Sequence, residues 1–138
     1  MGACNIESVK TAFAEFEKDM TKSVAIDVLQ DALDYATEII EDDVTDDQGK
    51  RVAENLLNTY RRRLIERISA ALNDAGSFED DYYFHWTSLA NLFMEAGYDE
   101  DKKFSHLRID LLAKAINTWS KDERSVFLER IERDSGKH

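Results

Sequence analysis

Apolar side chains recur at intervals of three and four residues from Ile6 to Ile131, and no proline interrupts them. That rhythm matches the 3.6-residue turn of an α-helix and not the two-residue alternation of a strand. Proline would remove a backbone donor and clash with the preceding turn, so its absence leaves every helical segment free to run. The pattern predicts an all-α fold, a compact bundle of about six helices and no sheet, in one domain over residues 1–138. At this length roughly two thirds of the unfolded chain's surface can be buried. A hydrophobic share of 43% is enough to supply the core.

Asn5 is placed to cap a first helix whose face carries Ile6, Val9, Phe13, Phe16 and Met20. The phase then shifts to Val24, Leu29, Leu33, Ala36 and Ile39, which predicts a break near Thr21 to Ser23 and a second helix ending at Glu41. A single bent helix over residues 6–41 satisfies the same pattern. Residues 42–49 read as a loop, with carboxylates suited to the N-terminus of a third helix from Asp47 to Asn73. Its stripe is Val52, Leu56, Tyr60, Leu64, Ile68 and Leu72, and Gly76 is expected to cap its end in the left-handed conformation. The four-residue spacing makes this stripe drift, so the helix should meet more than one neighbour.

A fourth helix is predicted from Asp80 to Ala96, closed at Gly97, with Tyr82, Trp86, Leu89, Ala90 and Phe93 inward. A charged loop from Tyr98 to Lys103 leads to a fifth, Phe104 to Trp119. Apolar over half its circumference, that helix is expected to be the most buried. Ser120-Lys121-Asp122-Glu123 is a capping box, a serine whose partner glutamate follows three residues on. It opens a sixth helix expected to bury Val126, Phe127, Leu128 and Ile131, with residues 134–138 frayed.

Aspartate and glutamate outnumber lysine and arginine by 29 to 18, a net charge of -11. That field repels polyanions, so direct binding to a nucleic-acid backbone or an anionic membrane is not expected. The single cysteine, Cys4, excludes an internal disulfide and any multi-cysteine metal cage. No apolar run approaches the roughly 20 residues that span a bilayer, and no secretory h-region is present, so a cytoplasmic location is expected. Met1-Gly2-Ala3-Cys4 begins like a myristoylation signal, but Ile6 stands where serine or threonine is required.

The strongest local pattern is acidic. At about 100° per residue, Asp27, Asp31, Asp34, Glu38, Glu41 and Asp42 lie within about 60° of one line along the second helix. A solvated face opposite the apolar one explains the stripe. It also suits a nucleic-acid mimic, because carboxylates one turn apart, about 5.4 Å along the axis, approximate phosphate spacing. Glu38 and Glu41 could instead share a divalent metal, but the facing Glu-x-x-Asp pair that such helical sites use occurs nowhere in the chain.

Other constellations are weaker. Asp81 with His85, and His106 with Asp110, are i,i+4 pairs that could hold a metal jointly, yet zinc needs at least three ligands. Ordinary surface ion pairs explain both. Arg61, Arg62 and Arg63 splay around the third helix and are expected to pair with acidic neighbours. Within Tyr82-Tyr83-Phe84-His85-Trp86, Phe84 alone points away from the core stripe and is a candidate partner or dimer anchor.

Phosphate loops, dinucleotide fingerprints, zinc-protease motifs and nucleophile elbows are all absent from the sequence. The expectation is a non-catalytic acidic protein acting through protein–protein contact, with no cofactor or metal. Its partner would carry a basic surface, and a homodimer is a further expectation. The competing reading is a small-molecule or metal-binding enzyme with a dispersed site in the bundle, using His85, His106 and the Glu38/Glu41 pair.

Overall fold

A computed structural model describes residues 5–43, 45–74 and 82–135, with only the backbone of Tyr82. Six helices follow one another: α1 (Ile6–Lys18), α2 (Val24–Glu41), α3 (Asp47–Asn73), α4 (Tyr82–Glu95), α5 (Lys103–Ile116) and α6 (Lys121–Ser135). They form an all-α bundle with no strand among the described residues. Cys4, Gly76, Asp80, Asp81, the Tyr82 side chain and residues 136–138 lie outside the described residues, and with them the lipidation motif, the Gly76 cap, the α4 start, the inward Tyr82 and the Asp81–His85 pair.

The helix boundaries follow local chemistry. Asn5 Oδ1 accepts the Ser8 amide at 3.0 Å and starts α1. The break expected near residues 21–23 is real. Asp19 accepts the Thr21 hydroxyl at 2.7 Å and the Thr21 amide at 3.3 Å, holding a turn between α1 and α2. That hydroxyl bond is the main cause keeping the Asp19 carboxyl below its ordinary value. Asp46 caps α3 by accepting the Gly49 amide at 2.7 Å. A Cβ at Gly49 would meet the Thr45 methyl at 2.9 Å, so a larger residue there requires the Thr45 side chain to shift. Gly97 closes α4 at φ 88°, where its lack of a Cβ removes the steric cost.

The core is made by α1 to α5. Val9, Phe13 and Phe16 of α1 meet Leu29, Leu33 and Ala36 of α2, the most extensively packed pair. As its drifting stripe implied, α3 touches several neighbours: α1, α2 and α5. The same drift moved its inner face at the N-terminal half. Ala53 and Leu57 are buried there, while Val52 and Leu56 are half-buried. Four residues turn a helix by about 400°, so each step rotates the stripe roughly 40° and hands the contact to the adjacent row. Phe13 stacks on Tyr60 at 4.8 Å, and Phe93 of α4 stacks on Phe104 of α5 at 4.9 Å.

The last two helices differ from expectation. Only Phe104 and Leu111 of α5 are buried, and Ile109 is 61% exposed. Its apolar half-circumference is wider than the face that α3 and α4 cover, so this helix is not the most buried one. The capping box does open α6, with the Glu123 amide donating to Ser120 Oγ at 3.2 Å and Ser120 Oγ donating to Glu123 at 2.9 Å. No α6 residue is buried, however: Leu128 is 56% exposed, and Val126 and Ile131 are each 45% exposed. Helix period alone records that a face is apolar, not that another element reaches it. Asp134 and Ser135, expected to fray, are helical. Leu128→Ala is expected to cost less than about 1 kcal/mol, whereas a buried leucine costs roughly 2–5. Urea unfolding of the two proteins measures the difference.

Candidate binding face

The six carboxylates of the predicted stripe are all exposed. Burial of Ala25, Leu29, Ala32, Leu33, Ala36 and Ile39 fixes the rotation of α2 and turns the acidic residues outward. Tertiary packing then divides the stripe. Asp31 looks into a groove against α1 that Glu7 and Glu15 also line. Asp34, Glu38 and Glu41 line a second groove, against α4, where Glu95 supplies a fourth carboxylate. Asp27 sits in the first turn of α2, and Asp42 is its C-cap residue, accepting the Thr45 hydroxyl at 3.0 Å. The acidic surface is therefore broader than one helix stripe.

This face keeps its charge. Among the described residues, the ion pairs are Lys10–Glu7, Lys18–Glu15, Lys22–Asp19, Arg61 with Asp99 and Asp101, and Arg63–Glu17. None of them reaches Asp27, Asp31, Asp34, Glu38 or Glu41. The last turn of α2 holds no basic residue, so Glu38 and Glu41 lie near the negative end of the helix dipole without local compensation. Asp27/Asp31, Asp34/Glu38 and Glu38/Asp42 are like-charged i,i+4 pairs, each unfavourable by about 0.2–0.5 kcal/mol. The arrangement costs stability.

Phe84 is 68% exposed, as its position on α4 requires with Trp86 turned into the core. Its ring makes an edge contact with Tyr83 at 5.1 Å. Phe84 and Glu95 are eleven residues apart, which returns them to within about 20° of the same line, about 16 Å apart along α4. The structure thus joins two features that are far apart in sequence. The outer face of α4 carries an apolar anchor at one end and meets the α2 carboxylates at the other.

The two histidines differ in their surroundings. His85 Nε2 bonds to the Met20 carbonyl in the turn between α1 and α2, a structural tie that no i,i+4 spacing announces. His106 is exposed. Four open clefts, lying beside the α4–α5 link, beside the α1–α2 turn, and between α2 and each of α1 and α4, are not lined by either histidine. Glu38 and Glu41 do share a groove, but no group of three or more histidine, cysteine or carboxylate residues is placed to hold a metal among the described residues. Arg63 pairs with Glu17 and lies over the Tyr60 ring at 4.9 Å, and Arg67 lies over Trp86 at 5.7 Å.

The densest polar cluster was hidden in what reads as a charged loop. Asp99 is 8% exposed and is the sole buried charged residue among those described. It accepts the Phe104 amide at 2.8 Å, the Ser105 amide at 3.0 Å and the Ser105 hydroxyl at 2.6 Å. Asp101 accepts the Lys103 amide at 3.2 Å, so two aspartates satisfy the first three amides of α5. Lys102, at φ 62°, makes the tight turn that brings both carboxylates back. Arg61 of α3 bonds to Asp101, donates Nε–H to the Tyr98 carbonyl at 2.9 Å, and lies 3.7 Å from Asp99. The Tyr98 hydroxyl meets Thr37 of α2 at 2.6 Å. Desolvation pushes the Asp101 carboxyl up, but the Lys103 amide and the Arg61 guanidinium outweigh it and hold it below its ordinary value. The cluster clasps the α4–α5 link onto α2 and α3, and its polar groups are engaged in doing so.

Compared with known proteins, the chain matches no family model, no curated protein and no solved structure.

Proposed function

We propose that this protein is a non-catalytic binding protein that presents its acidic α2 face, with Phe84 as an apolar anchor, to a partner with a basic surface. The supporting observation is the unspent charge. Lys10, Lys18, Lys22, Arg61 and Arg63 pair elsewhere, and five of the six stripe carboxylates have no cation beside them among the described residues. Like-charge pairs and an uncompensated helix end are retained at a cost to folding, which is understandable where the charge serves an encounter. A nucleic-acid mimic is the sharpest form of this reading, since carboxylates at about 5.4 Å intervals would meet a phosphate-binding groove.

The triple substitution Asp31→Lys, Asp34→Lys and Glu38→Lys tests it. The variant is expected to keep or slightly raise its melting temperature, because the Asp27/Asp31 and Glu38/Asp42 pairs become oppositely charged, the 34/38 pair stays like-charged, and lysine suits the end of a helix. Proteins captured from the native host by the unmodified chain should be lost with this variant. Where one of them binds DNA or RNA, the unmodified chain should compete with the nucleic acid. Capture that persists with the lysine variant would end the proposal.

A further inference from the structure

The charge of the chain is unevenly placed. Residues 1–102 carry ten basic and twenty-three acidic side chains, whereas residues 103–135 carry seven basic and six acidic. The net excess of acid makes the first parts of two copies repel one another overall, while α5 and α6 together carry almost no net charge. The same α6 that is nearly neutral has no buried residue, and its Phe127 meets Trp119 edge-on at 5.4 Å. Its apolar face is Phe127, Ile131 and Leu128, which fall within about 100° of arc, together with Arg124. Arg124 Nε is buried, yet it has no hydrogen-bond acceptor among the described residues.

We propose that two copies of this chain associate through α6, paired antiparallel about a two-fold axis passing between Val126 and Phe127. In such a pair each flank of one helix faces the same flank of the other, and residues equally far from the axis on opposite sides stand opposite one another. Lys121 and Glu132 share one flank, about 20° apart in projection, and Glu123 and Arg130 share the other, also about 20° apart. All four are exposed. Both pairs are equidistant from the proposed axis, so Lys121 of one copy meets Glu132 of the second, and Glu123 meets Arg130, each twice by symmetry. Phe127 and Leu128 cover their counterparts at the centre. A helix pair of this length is smaller than a standard interface, so the association is of the weak, concentration-dependent class.

Sedimentation velocity of the full chain from about 1 to about 300 μM, in about 0.15 M salt, tests the pairing. The expected result is a monomer–dimer equilibrium within that range. Glu132→Lys places like charges opposite one another twice and is expected to weaken dimerisation by about tenfold or more. Adding Lys121→Glu to it should restore most of the association. Leu128→Asp should abolish it, with helix content by circular dichroism unchanged because the site is 56% exposed. A chain that stays monomeric throughout would overturn the proposal. So would a dimer insensitive to Glu132→Lys, or one that the double variant fails to recover. The α2 lysine variant should dimerise normally, which separates this inference from the proposed partner face.

Discussion

Phe104→Ala is expected to destabilise the protein by roughly 3–5 kcal/mol, the usual cost of deleting a buried aromatic ring. Phe104 is fully buried, stacks on Phe93 with planes 17° apart, and lies beneath the Arg61 guanidinium carbon at 5.3 Å. It joins α5 to α4 from one side and to α3 from the other. Removing the ring leaves a cavity at the junction of three helices, where the rigid α3 limits collapse, and it takes away a cation–π contact as well. For a chain of this length the melting temperature should fall by roughly 10–20 °C. Thermal unfolding followed at 222 nm measures it. A fall of only a few degrees would mean that α5 is held mainly by its polar clasp.

Asp99→Ala is expected to cost about 3 kcal/mol, and Asp101→Ala less than about 1 kcal/mol, although the two stand two residues apart and both face Arg61. The reason is burial. Asp99 accepts two backbone amides and a hydroxyl in a site only 8% open to solvent, so its loss strands donors that water cannot easily reach. The Asp101 side chain is 44% exposed, and water replaces much of what it supplies. Arg61 keeps Asp101 and the Tyr98 carbonyl in the Asp99 variant, which holds the cost near the lower end for a broken buried pair. Chemical denaturation of both variants gives the two numbers. Asp101 also sets a pH sign. Its folded value lies below 3.8, so its contribution is complete above that pH and is lost as pH falls through the lowered value. Asp101→Ala should show less acid sensitivity than the unmodified chain between about pH 4 and pH 2.

If Asp99→Ala proved as mild as Asp101→Ala, the Tyr98–Lys102 link would be held by its backbone and by Arg61 alone. The capping of α5 would then have to be reassigned to water. The pair of variants is therefore more informative than either one, because they share a partner and differ mainly in exposure.

The sequence by itself determined the helices. Apolar spacing, Asn5, Asp46, Gly97 and the Ser120/Glu123 box act within one or two turns, and their consequences are local enough to read without a neighbour. The outward rotation of the α2 carboxylates and of Phe84 was legible for the same reason, since each follows from which opposite face is apolar. Tertiary structure alone decided which apolar faces found a neighbour. It covered one side of α5 and buried no residue of α6, because coverage depends on the shape and reach of other helices. It alone brought Glu95 to the groove that Glu38 lines and Arg61 beside Asp99, residues 38 or more positions apart. Hydrogen bonds need contact within about 3.5 Å and screened charges act over roughly 8–10 Å, and spacing along a chain carries no record of such distances across it.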